Sequence, residues 1–265
     1  MRRAERAQRA EVAIAHALGD TAALTGRSMR HILRSPDTII TTAVTPIAIM
    51  LLFVFVFGGA IDTGSQSYID YMLPGILLIT IASGIAYTAY RLFLDLQGGL
   101  FERFRSMPIA RSSVLWSHVL TSVAANLVSV ALVIGVALLM GFRTGAGPLA
   151  WLGDAGILAL FTLALTWIAV VAGLSAKSVD GASAFSYPLI FLPFISSAFA
   201  PTESMPGPVR WFAENQPVTS IVNTIRSLFA GQPVGGEIWI ALAWCVGILA
   251  AAWIGATLIY RRKAR

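Results

Sequence analysis

The apolar residues of this chain fall into blocks long enough to cross a bilayer. A hydrocarbon core of about 30 Å takes about 20 residues of helix. Six blocks approach that length: 38–57 (TIITTAVTPIAIMLLFVFVF), 71–90, 118–140, 151–174, 182–200 and 238–260. The fifth is the shortest and is broken by Pro188 and Pro193. Backbone N–H and C=O groups in lipid must be satisfied within their own segment, so such blocks are helices. The pattern predicts an all-α polytopic membrane protein. A six-span domain over 38–260 lies between an N-terminal region, 1–37, and a short basic tail, 261–265. The span interiors are read as free of ionisable groups at depth, His118 apart.

The connections are uneven. Those at 58–70, 141–150 and 175–181 are short, whereas 91–117 and 201–237 are long enough to hold structure of their own. Before the first block, Asp20 or Thr21 caps a helix that Ser35-Pro36 stops. Leu24, Ser28 and Ile32, with Met29 and Leu33, recur at i, i+4, while Arg27, Arg30 and Arg34 share another face. This predicts an amphipathic helix over 21–34 lying on a membrane surface. In 201–237, Pro201, Pro206 and Pro208 divide the chain. Short helices are predicted at 207–214 and 217–229, with Phe212, Val218, Ile221, Val222, Ile225 and Phe229 on apolar faces. The segment is too polar to span and too apolar for a solvated loop. It reads as re-entrant, packed against the rest of the protein, with Glu203 and Arg226 placed to pair across the turn.

Only 12% of the chain is charged, half the share of a soluble domain, so the placement of charge is informative. Seven arginines before residue 38, four in 91–111, Lys177 and four basic residues in the tail put sixteen on one side of the predicted membrane. Arg143, Arg210 and Arg226 are the three on the other. Positive charge marks the cytoplasmic side, so both termini and the 91–117 connection are expected there. Trp116, Trp151, Trp211 and Trp239 fall near span ends, as an interfacial aromatic belt requires. The N-terminus has no apolar region leading to a small-residue cleavage site and reads as retained.

Chemistry is sparse. The single cysteine, Cys245, sits in an apolar run, where it is a small hydrophobe. No G-x-x-x-x-G-K-[ST] is present, so this chain holds no ATP of its own. His16, His31 and His118 are too scattered for a metal triad. A polytopic enzyme acting on lipids would need paired carboxylates near a membrane face, yet Asp95 and Glu102 stand seven apart with no metal-ligand spacing. A channel without an energy source is the other alternative. No cofactor, metal, nucleic acid or catalytic residue is expected for this chain.

Two stretches remain. In LFERFRSMPIARSSV (100–114), Leu100, Phe101 and Phe104 are apolar while Glu102, Arg103 and Arg105 are charged. A two-turn helix starts after Gly98-Gly99 and stops before Pro108. It is either a positive-inside loop or a charged knob shaped for a soluble partner. In the third block, His118, Thr121, Ser122 and Ser129 lie along one helical face with Asn126 beside it. They form either a tight helix–helix seam or the wall of a transport path.

Both long connections resemble those of the permease subunits of ABC-2 type exporters, in particular the daunorubicin/doxorubicin-resistance group of drug-efflux permeases. GGLFERFRSMPIARSSVLWSHVL (98–120) is similar to the family's stretch after the second span, with Gly99, Glu102, Arg103, Arg105, Pro108 and Arg111 at matching positions. FLPFISSAFAPTESMPGPVRWFAENQPVTSIVNTIR (191–226) is similar to its signature around the fifth span. There Phe199, Pro201, Glu203, Met205, Pro206, Trp211, Pro217 and Arg226 match. Leu100, Ala198 and the Gln216 that separates Asn215 from Pro217 depart from it. The resemblance implies two permeases, identical or related, paired with two ATP-binding subunits that hold ATP and magnesium. It also implies a coupling helix in the first cytoplasmic loop, an outer re-entrant gate, and residence in a bacterial plasma membrane. The cargo implied is a hydrophobic or amphiphilic, drug-like compound, or alternatively a cell-envelope lipid, glycolipid or polysaccharide.

Overall fold

The computed structural model describes residues 36–59, 67–98 and 111–263. The helix expected at 21–34, and Gly99, Glu102, Arg103, Arg105 and Pro108 of the expected knob, lie outside the described residues. Every regular element among those described is helical. In chain order they are α1 (Pro36–Leu52) and a π-helical turn (Phe53–Phe57), then α2 (Tyr68–Gln97), α3 (Arg111–Leu139) and α4 (Pro148–Ser175). These are followed by α5 (Val179–Ala184), α6 (Ser186–Phe191), 3-10 turns at Leu192–Ile195 and Thr202–Ser204, α7 (Gly207–Asn215), α8 (Pro217–Phe229) and α9 (Glu237–Lys263).

Among the described residues, four helices are long and apolar enough to cross a membrane: Tyr68–Gln97, Leu115–Leu139, Pro148–Ser175 and Glu237–Tyr260. The other two blocks form shorter apolar helices, Thr42–Phe57 and Val179–Ile195. Each is irregular. The first slackens into the π turn after Leu52. The second is interrupted at Phe185 and tightens into a 3-10 turn at Pro193, where the ring removes a backbone donor. The expected fifth span, 182–200, therefore ends its helix at Ile195. Ser196 is extended, and 196–199 turns back into the protein, fully or almost fully buried.

α2 is the hub, packed by α1, α3, α4, α5, α6 and α8; α4 lies between α2 and α9. The ends that carry Tyr68, Leu139, Pro148 and Phe229 define the upper end of the bundle, and those with Gln97, Arg111 and Lys263 the lower end. One large apolar core fills the upper two thirds, from Met50 and Ile76 to Val133, Phe161, Ile221 and Phe229. A smaller one below it joins Leu92, Leu115, Val119, Trp167, Leu174 and Ala256. Hydroxyls inside the bundle bond back to their own helix, as Thr80 does to the Ile76 carbonyl (2.8 Å) and Thr162 to that of Leu158 (2.6 Å), which satisfies them without water. The outer surface is apolar as well. Phe55, Leu139, Leu149, Trp239, Val246 and Leu258 are all exposed, a surface that water would not tolerate at this extent and lipid does.

Asp154 corrects the expectation of span interiors free of charge. It lies in the second turn of α4, 1% exposed, with neither carboxyl oxygen hydrogen-bonded. A buried polar group without a partner costs about 1–3 kcal/mol. Asp154→Leu, close in size, is therefore expected to raise stability by about 1 kcal/mol. Thermal unfolding in detergent checks this: a lowered midpoint would mean that Asp154 has a partner it cannot lose.

Candidate functional site

Two polar constructions interrupt this apolar bundle. The first is the seam between α2 and α3. It starts at the lower end, where His118 Nε2 meets Asp95 Oδ2 at 3.2 Å. Two turns up, the Thr88 and Ser122 hydroxyls share a short hydrogen bond. One turn further, the Asn126 amide donates to the Ser122 carbonyl (3.0 Å), and its Oδ1 has no hydrogen-bond donor. That oxygen presses on Gly84, where an added Cβ would stand 1.9 Å from it. The helices come this close because Gly84 presents only hydrogen. Thr121 and Ser129 are also buried, each bonded back along α3, to the Ser117 and Ala125 carbonyls. Of the polar residues expected on α3, His118, Ser122 and Asn126 thus meet α2. Gly84 and Thr88 went unremarked in the sequence, and Asp95 was weighed only against Glu102, because periodicity gives a face and not the register of the helix opposite.

The second construction is a cap at the upper end, built from α7, α8 and the returning 196–199 segment. Pro217 starts α8 at a position where a missing N–H costs nothing. One face of α8, Val218, Ile221, Val222, Ile225 and Phe229, is buried, and the helix packs on α9, α4 and α2. Arg226 does not pair with Glu203 as expected. Its guanidinium lies 3.9 Å from the centre of the Tyr71 ring. It donates from Nε and Nη2 to the Tyr71 carbonyl (both 3.1 Å), from Nη2 to the Ser197 carbonyl (2.7 Å), and from Nη1 to Asn223 Oδ1 (2.9 Å). Burial lowers its pKa, while Tyr71 and Glu237 act in the opposite sense. The forked, planar cation suits this task because it can reach two carbonyls and a ring at once. One side chain thereby ties α8 to α2 and to the returning segment.

Further contacts hold that segment in place. Tyr68 donates to the Phe199 carbonyl (3.2 Å), and Gln216 Nε2 to that of Ile195 (2.7 Å). Phe199 stacks on Phe194 at 4.8 Å and meets Phe53 at 4.9 Å. The Ala198 methyl sits on Gly75 of α2, where a Cβ would be 2.5 Å away. Gln216, which separates Asn215 from Pro217, is 5% exposed and joins the two halves of the cap. α7 is mostly exposed. Trp211 is 68% exposed, and Arg210 pairs with Glu214 (2.7 Å), which holds that carboxyl below its ordinary range. Pro201 and Pro206 bracket the Thr202–Ser204 turn that contains Glu203. Among the described residues, no group of three or more potential metal ligands is gathered.

A family model described as ABC-2 type transporter matches residues 20–230. The chain is 28% identical over 241 residues to a daunorubicin resistance ABC transporter permease protein of Streptomyces coeruleorubidus, covering 89% of this chain and 84% of the relative. It is 26% identical over 244 residues to a probable doxorubicin resistance ABC transporter permease protein of Mycobacterium tuberculosis, covering 91% and 87%. A putative transport permease of Porphyra purpurea is 24% identical over 214 residues, covering 78% of this chain and 73% of the relative.

Proposed function

The chain belongs to the ABC-2 type transporter family, and from that premise we propose that it is the permease subunit of an ATP-driven exporter for hydrophobic or amphiphilic, drug-like compounds. The observation that carries the reading is the likeness, over more than four fifths of either chain, to drug-resistance permeases in a chain that is a multi-pass helical bundle without an ATP-binding motif. ATP and magnesium belong to a separate ATP-binding subunit. Two such subunits dock beneath two permeases. The six apolar blocks span the plasma membrane of a bacterium, with both termini and residues 98–113 in the cytoplasm. That places the lower end of the bundle inside and the α7–α8 cap outside.

The mechanism this implies is alternating access. ATP binding draws the ATP-binding subunits together, and they push on residues 98–113. The push passes into α2 and α3, which flank that segment, and α2 is the helix that most others lean on. The cap is the outer gate: Arg226, Tyr71 and the 196–199 segment hold it shut until α2 shifts. A pathway poor in charge suits an apolar cargo, since an ion-coupled pump would carry ionisable groups in pairs at depth.

The docking role has a direct test. Glu102 and Arg105 are proposed to pair with the ATP-binding subunit across a partly desolvated contact, where truncating one member costs about 2–5 kcal/mol. Glu102→Ala or Arg105→Ala should then weaken docking at least about thirtyfold, with the permease still folded in the membrane. Co-purification of the two subunits measures this. Normal binding and normal export in a Glu102/Arg103/Arg105 triple alanine would make the stretch an ordinary positive-inside loop.

A further inference from the structure

We infer that the Asp95–His118 pair is a positioning clasp that sets the spacing of the two helix ends through which the ATP-binding subunit would act. This rests on the permease reading above, and concerns residues that reading does not use. Asp95 lies in the last turn of α2, three residues before Gly98, and His118 lies two turns into α3, which opens at Arg111. This pair cross-links the two helices close to their ends, at 3.2 Å.

The rest of the seam explains why a cross-link is needed there. Higher up, α2 and α3 are locked by shape, with Asn126 against Gly84, and by the Thr88–Ser122 hydroxyl bond. Around the pair itself the packing is aliphatic: Leu92, Leu115 and Val119 meet Trp167. Aliphatic contacts are non-directional and allow two helices to slide by a fraction of a turn. An imidazole nitrogen held 3.2 Å from a carboxylate oxygen is a short-range polar contact that weakens as soon as the two helices slide. Its side chains are 19% and 34% exposed, so water can take over both groups when the helices part. A pair placed so can fix a resting alignment and still release. Arg91 stands one turn back on α2 with its guanidinium over the Tyr87 ring (5.8 Å).

The experiment uses the full-length chain bound to its ATP-binding subunit in nanodiscs, in a Cys245→Ala background. Spin labels at Gln97 and Ser112 report the spacing of the helix ends by pulsed electron resonance, with and without ADP-vanadate. The unaltered pair should give one narrow distance that shifts on trapping. His118→Ala and Asp95→Ala should each broaden the resting distribution and lower vanadate-sensitive ATP turnover roughly fivefold, with the ATP-binding subunit still bound. His118→Gln, whose amide can donate to Asp95, should restore the narrow distance, which a merely space-filling role would not predict. Unaltered distances and turnover in both alanine variants, with the subunit bound, overturn the clasp alone. A wild-type chain that retains no ATP-binding subunit overturns the permease reading and the clasp's role together.

Discussion

Arg226→Ala is expected to detach the cap from the bundle. The substitution removes four hydrogen bonds to three partners and a cation–ring contact at 3.9 Å. A hydrogen bond to a charged group is worth about 1.5–3 kcal/mol net. Keeping a guanidinium largely out of water offsets part of that gain. A net loss of about 3 kcal/mol remains, because the Ser197 carbonyl is left without this donor in a buried turn. The effect should be local. Amide exchange in α8 and in 196–199 should accelerate about a hundredfold, while α4 keeps its protection. Arg226→Lys should rescue little, since an ammonium cannot fork to two carbonyls and lie flat on Tyr71. Unchanged exchange in α8 would mean that the apolar face of the helix holds the cap unaided.

The second large effect is expected at Gly75. An added Cβ would stand 2.5 Å from the Ala198 Cβ. Neither atom can swing aside, because each is fixed to its own backbone. Gly75→Ala must therefore lift the 196–199 segment off α2. That stretches the Tyr68 bond to Phe199 and unstacks Phe199 from Phe194 and Phe53. Overpacking of this kind costs about 1–3 kcal/mol. The telling variant is the double one. Ala198→Gly alone should cost under about 1 kcal/mol, chiefly through the unfolded chain, and combined with Gly75→Ala it should restore most of the lost stability. Such non-additivity is the signature of direct contact. Additive losses in thermal unfolding would place the strain elsewhere.

The sequence was most legible where one segment decides its own structure. The α7 and α8 helices at 207–215 and 217–229 follow from Pro206, Pro208 and Pro217 and from an apolar face repeating every three to four residues. The long apolar blocks similarly announced α2, α3, α4 and α9. It was least legible where distant segments meet. Gly75 and Ala198 are more than a hundred positions apart, and nothing in either neighbourhood names the other. Arg226 was matched to Glu203 by charge, whereas the fold offers it carbonyls and a ring, partners that every sequence contains and none advertises. The first and fifth blocks counted as spans by composition, but the π turn after Leu52 and the breaks at Phe185 and Pro193 depend on packing. Asp154 could have been found: it lies three residues before Ile157, on the face that is buried in α4.

The central claim is that this bundle is driven by a separate ATPase, and composition of the native complex tests it most directly. The tagged chain, solubilised gently from the membranes of its own host, would be weighed intact by native mass spectrometry. The account predicts a species containing two copies of a permease and two of a Walker-motif ATP-binding subunit, dissociating when Glu102, Arg103 and Arg105 are all alanine. A chain that is recovered intact and folded, in any copy number, with no ATP-binding subunit attached would contradict it.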